Sequence, residues 1–144
     1  EGYPKASQWP TNLIGYDGLR VYGSPSYYAI KMFSTNLGDE ILKTTATDAD
    51  VLTSVTRDSK SGTIFAKLVN ASDSDAPIQI NLTGTGSLAS TATALTLSAD
   101  PQATNAIDTP DRVVPLTSTV TGVKSGFTYT VPKHGIVVLT MRTH

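Results

Sequence analysis

The sequence predicts an all-β protein, an antiparallel β-sandwich or jelly roll, with a loop and one α-helix in front of it. Three observations carry that prediction. From Ile41 onward the apolar residues recur with a period of two, in short runs, as half-buried strands require. Turns rich in Gly, Pro, Asp and Ser separate the runs, which favours two packed sheets over an α/β fold. Only one stretch, "GSPSYYAIKMFSTNLG", carries a helical pattern.

The front of the chain differs from the rest. Trp9 and five tyrosines (Tyr3, Tyr16, Tyr22, Tyr27, Tyr28) precede Ala29, and the remainder supplies only Tyr129. Ser24 is placed to cap exposed backbone N–H groups, and Pro25 suits a first helical position where its missing donor costs nothing. Tyr28, Met32 and Phe33 fall on one side, with Ala29 and Leu37 near it. The helix is predicted over 25–36, with Gly38 as a left-handed residue that stops it.

Val51 to Arg57 and Thr63 to Asn70 flank "DSKSG", a hairpin turn. In "PIQINLTG", Ile78, Ile80 and Leu82 face one way while Gln79 and Asn81 face the other. Further strands are predicted near 88–97 and 113–120, and "FTYTV" alternates through Phe127, Tyr129 and Val131. "GIVVLTM" is continuously apolar and reads as a strand covered on both faces. "SADPQATNAIDTPDRVVP" is expected to be an ordered loop that crosses between sheets or wraps an edge, with Asn105, Asp108 and Asp111 closing local turns.

With 144 residues, 39% apolar and 16% charged, the chain is one globular domain or a domain with an appendage. A net charge of -1 gives no reason to expect nucleic acid as a partner, and no apolar run is long enough to span a membrane. The absence of cysteine removes disulfides and thiolate chemistry without fixing a compartment. "EGYPKASQ" has neither the shape of a signal peptide nor that of a domain start. Asn70 and Asn81 head N-x-S/T patterns, read as chance matches in a Ser/Thr-rich chain.

Catalytic residues are not found. A glycosidase of the usual kind needs two carboxyl groups across a cleft, yet the two glutamates are Glu1 and Glu40, neither in an apolar setting. The aspartates lie in turns and read as solvated turn formers rather than a Ca²⁺ site. His134, in "VPKHG", reads as a turn histidine and His144 is the last residue; no cluster supports zinc or any other metal, and no motif supports a cofactor. A carbohydrate-binding module would need an aromatic platform, but Phe127 and Tyr129 alternate with threonines as core residues do.

"QWPTNLIGYDGLRVYGSPSYYAIKMFSTNLGD" closely resembles the end of the catalytic barrel in α-L-arabinofuranosidases of glycoside hydrolase family 51. The resemblance continues through "SVTRDSKSGTIFAKLVN", "ATNAIDTPDRVVP" and "FTYTVPKHGIVVLTM", which look like that family's C-terminal sandwich. It implies that residues 1–40 are the last βα piece of a (β/α)8 barrel and 41–144 the sandwich, with the crossing at Gly38–Ile41. Loops at the C-terminal ends of barrel strands border active sites. Trp9 is therefore the residue picked for a sugar contact in the parent cleft, its alternative role being to pack the loop onto the helix. The family's acid/base and nucleophile glutamates have no counterpart here, so the resemblance implies an inactive piece of a retaining glycosidase acting on arabinan or arabinoxylan. Its expected partner is the missing barrel, and through the parent an arabinose-containing polysaccharide. The family's sandwich is also completed by a segment from the start of the enzyme. Two other readings stay open: a free-standing carbohydrate-binding module, and a structural domain without sugar affinity. The last expects an apolar patch involving Tyr27, Tyr28 and Met32, and a weak homodimer through the exposed helix is a further expectation.

Overall fold

The computed structural model describes residues 12–47 and 50–143. A short hairpin, β1 (Ile14–Tyr16) and β2 (Val21–Gly23), leads into α1 (Pro25–Thr35). The strands β3 (Glu40–Ile41), β4 (Val51–Arg57), β5 (Ile64–Asn70), β6 (Ala76–Asn81), β7 (Leu88–Ser98), β8 (Leu116–Thr121), β9 (Gly126–Val131) and β10 (Gly135–Thr143) follow. Six of them form one antiparallel sheet in the order β3-β4-β5-β10-β7-β8, and β6 pairs with β9 in a second sheet of two. The all-β sandwich expected from the period-two pattern is what the chain adopts.

Strand alternation divides the side chains between two apolar layers. Ile64, Ala66, Leu68, Ala92, Ala94, Val137, Leu139 and Met141 point toward the small sheet and meet Phe127 and Val131, with Ile78, Ile80, Leu82 and Tyr129 packed alongside. On the other face Val138 and Leu97 meet Met32 of α1, with Tyr28, Ala29, Phe33, Phe65 and Ile136 around them. β10 therefore buries both faces, as its unbroken apolar run predicts. The order through the molecule is helix, large sheet, small sheet.

The helix begins as expected: Ser24 is extended and its hydroxyl accepts from the Tyr27 N–H at 3.1 Å, with Pro25 in the first turn. It ends differently. Gly38 does not take a left-handed conformation, and Asn36 closes the helix by donating its side-chain amide to the Met32 carbonyl at 2.8 Å. Glycine is needed at 38 for another reason: a Cβ there would collide with the Arg57 backbone. Leu37, expected near the buried side, is 58% exposed.

The β4–β5 turn is held by carboxylates. Asp58 Oδ1 accepts from the N–H groups of Lys60 and Ser61, and Gly62 follows at φ 70°. Asp39 reaches the same turn, accepting from the Ser59 N–H at 2.7 Å and from its hydroxyl. The Ser59 hydroxyl and N–H hold Asp39 below the usual carboxylate range, and the Ser61 N–H does the same for Asp58. A lowered folded-state pKa stabilises the fold above the unfolded value, and the contribution disappears as pH falls through the folded value. Stability should therefore decline below roughly pH 4. Asp39→Asn with Asp58→Asn should flatten that decline in denaturant titrations run against pH; an unaltered slope would refute the assignment.

Two expectations are corrected beyond the helix end. The strand expected at 113–120 starts only at Leu116, because Val113 is buried in the preceding loop. That loop does not cross between sheets, since β7 and β8 are neighbours in one sheet. It lies against the helix side, where Val113 and Ala103 join the apolar layer around Met32.

Candidate functional site

The front edge is built around the β1–β2 hairpin. Asp17 shapes its turn: Oδ1 accepts from the N–H groups of Leu19 (2.8 Å) and Arg20 (2.7 Å). The Leu19 N–H foremost holds the Asp17 carboxyl below its usual range. The Arg20 guanidinium folds back on Asp17 Oδ2 and reaches Asp108 of the long loop at 2.9 Å. Exposed pairs of this kind contribute little.

Asn105 makes the stronger tie. It is 3% exposed, and its amide donates to the carbonyls of Gly23 (2.8 Å) and Val113 (2.9 Å) while Oδ1 accepts from the Val113 N–H (2.7 Å). One side chain thus closes the loop on itself and fastens it to the residue that leads into α1.

With Tyr22 turned inward, the other hairpin face carries Ile14, Tyr16 and Val21, each well exposed, and Leu19 at the turn is 97% exposed. Ile30 adds an exposed apolar side chain on α1. Apolar side chains gathered on an outer face in this way mark a contact surface. It is not the patch expected around Tyr27, Tyr28 and Met32. Met32 is 1% exposed against the sheet and Tyr28 packs beside it, because α1 folds back onto the sandwich.

A groove of about 550 Å³ opens between the two sheets. Val51, Val55, Ala66 and Leu68 form its floor, 42–47 its rim, and the consecutive residues 77–82 one wall. Since β6 pairs only with β9 among the described residues, its other backbone edge forms that wall.

No catalytic arrangement emerges among the described residues. Glu40 is paired with Arg57 at 2.7 Å on the surface. His134, at φ 47°, sits with Nε2 3.0 Å from Asp73 Oδ1, while the nearby Ser72 hydroxyl donates to Asn70 Oδ1 instead. No group of three or more His, Asp or Glu side chains suited to a metal occurs among the described residues. Phe127 is buried, and Phe65 and Tyr129 are partly buried within the two layers, so none offers a flat sugar platform. Lys67 is 8% exposed; its ammonium lies 5.5 Å from the Phe33 ring centre, and burial pulls it below the usual lysine range. Trp9, the residue picked from the sequence for a sugar contact, and Glu1 lie outside the described residues.

The fold is thus an antiparallel sandwich with a helix on one face and an outward apolar hairpin beside it. Residues 7–135 match the family model described as the α-L-arabinofuranosidase C-terminal domain. The chain belongs to that family, the C-terminal domains of glycoside hydrolase family 51 enzymes. It is 33% identical over 137 residues to α-L-arabinofuranosidase A of Aspergillus niger, covering 93% of this chain and 21% of that protein. With an extracellular exo-α-L-arabinofuranosidase of Streptomyces chartreusis it shares 41% identity over 88 residues, 61% of this chain and 10% of the relative. An arabinose-bound family 51 α-L-arabinofuranosidase superposes with a TM-score of 0.88 at 37% identity, over 95% of this chain and 22% of that one. The matched region therefore spans only 21% and 10% of the two curated relatives named here.

Proposed function

We propose that this chain is the non-catalytic part of a retaining glycosidase that removes terminal α-L-arabinofuranosyl residues from arabinan or arabinoxylan, and that it braces the catalytic barrel. Residues 1–40 are then the last βα piece of the barrel and 41–144 the sandwich. Supporting this reading is the family match over 7–135, together with the outward apolar face of Ile14, Tyr16 and Val21, which a neighbouring domain would cover. The groove beside β6 is where an extended segment from earlier in the parent would complete the small sheet, as the family resemblance implies. Trp9, by the family resemblance, would contact sugar in the parent cleft or pack the loop onto the helix.

The pure chain should release no arabinose from an aryl α-L-arabinofuranoside and give no heat with arabino- or xylo-oligosaccharides in calorimetry. Turnover would defeat the reading, and saturable binding without turnover would favour a binding module. Fused behind a family 51 barrel in place of that enzyme's own C-terminal domain, the chain should keep the barrel folded and active. Tyr16→Asp with Val21→Asp should abolish that support; a barrel indifferent to the two charges would defeat the bracing role.

A further inference from the structure

The two N-x-S/T patterns are chemically alike in the sequence, and the fold separates them. Asn70 is 1% exposed. Its amide nitrogen donates to the carbonyls of Ser74 (2.8 Å) and Val131 (3.1 Å), and its Oδ1 accepts from the Ser72 N–H and hydroxyl. Both amide hydrogens are therefore committed, so a glycosylated Asn70 would lose one of these bonds and force a bulky sugar into the end of the core.

Asn81 is the opposite case. It is exposed at the end of β6, opposite Gly126 of β9, where no side chain stands across from it. Its Oδ1 accepts only a long contact of 3.4 Å from Gln79, and its amide nitrogen donates to nothing among the described residues. Leu82 at the middle position turns inward, Thr83 is exposed, and Gly84 and Gly86 follow at φ 72° and 66°. The segment after the asparagine is thus a surface loop without proline at either sensitive position, the setting that an N-linked sugar requires. Gln79, Thr128 and Thr130 make the same outer face polar. That face is the far side of the molecule from α1 and the apolar hairpin, since the large sheet lies between them.

We propose that Asn81 is an N-glycan acceptor, and that Asn70 is not one in the folded chain, whenever the chain passes through a secretory compartment holding an oligosaccharyltransferase. The co-reactant is a lipid pyrophosphate-linked oligosaccharide. The Asn81 amide nitrogen forms a bond to the anomeric carbon, the bond from that carbon to the pyrophosphate oxygen breaks, and the lipid pyrophosphate leaves with the electron pair. The amide gives up one proton. A sugar here leaves the apolar hairpin face free, while Asn81 itself stands at the end of the β6 wall of the groove.

The test is to express the full chain behind a cleavable leader in a glycosylating yeast and to map occupied sites in both secreted and microsomal protein. An amidase that converts glycosylated asparagine to aspartate marks each occupied site for mass spectrometry. Asn81 should be occupied, and both Asn81→Gln and Thr83→Ala should remove the glycan without loss of secretion. Reading microsomal protein keeps the result decisive if secretion is poor. An unmodified Asn81 in both pools, or a glycan on Asn70 in secreted protein, would overturn the proposal.

Discussion

Leu139→Ala should lower the unfolding free energy by about 3–5 kcal/mol, toward the upper part of the range for such truncations. Leu139 is 0% exposed and sits on β10 opposite Ala66 of β5 on one side and Ala94 of β7 on the other. Its two lateral neighbours on the core face are alanines, which have no side-chain freedom with which to close the space. The cavity left by the leucine would therefore persist, and its cost would add to the lost transfer free energy. A loss of that size is a large part of the total stability of a domain, and corresponds to a fall in Tm of about 10–20 °C. Urea titration at constant m-value checks it. A loss below about 1.5 kcal/mol would mean that the strand layer collapses around the gap, contrary to the packing described.

Asn105 is the second site of large expected effect, and two substitutions there differ informatively. Asn105→Ala leaves the Val113 N–H and two carbonyls without their partner in a buried place, at about 1–3 kcal/mol for each group stranded. Asn105→Asp keeps the acceptor for the Val113 N–H but turns a second oxygen toward the carbonyls of Gly23 and Val113, which offer no proton. At neutral pH that variant should be at least as unstable as the alanine one. Burial and the two facing carbonyls raise the pKa of the new carboxyl in the folded state, so folding takes up a proton. Its stability should recover as pH falls through the raised value and be lost as pH rises through it. A pH-independent deficit relative to the wild-type chain would show that Asn105 does not hold the loop as described.

The sequence made the strands legible because burial on one face leaves a period of two. The turns of Gly, Asp and Ser marked where each run stops. The helix was legible from Ser24 and Pro25, whose chemistry is local. What escaped was whatever depends on segments far apart in the chain. Asn105 reads as a turn former, and it does bond Val113 nearby, but its contact to Gly23 spans 82 positions and leaves no local pattern. Gly38 reads as a left-handed helix stop and is not one; what requires glycine there is the Arg57 backbone, brought beside it by β3–β4 pairing. The hairpin face escaped for a different reason. Ile14, Tyr16 and Val21 are as apolar as any core strand, and composition does not say which apolar side remains outside.

The place of β10 also sets the order in which this chain acquires its structure. The β4–β5 ribbon closes over a short turn and the β7–β8 ribbon over the long loop, but they become one sheet only when β10 enters between them. Its pairing with β5 brings together residues such as Gly135 and Asn70, a contact distant in sequence and therefore slow to form. During synthesis the two ribbons emerge first and must wait, apolar faces unshielded, for a strand made after both. The chain should thus depend on chaperones or on low concentration late in its synthesis, and gain its cooperativity in a single closing step.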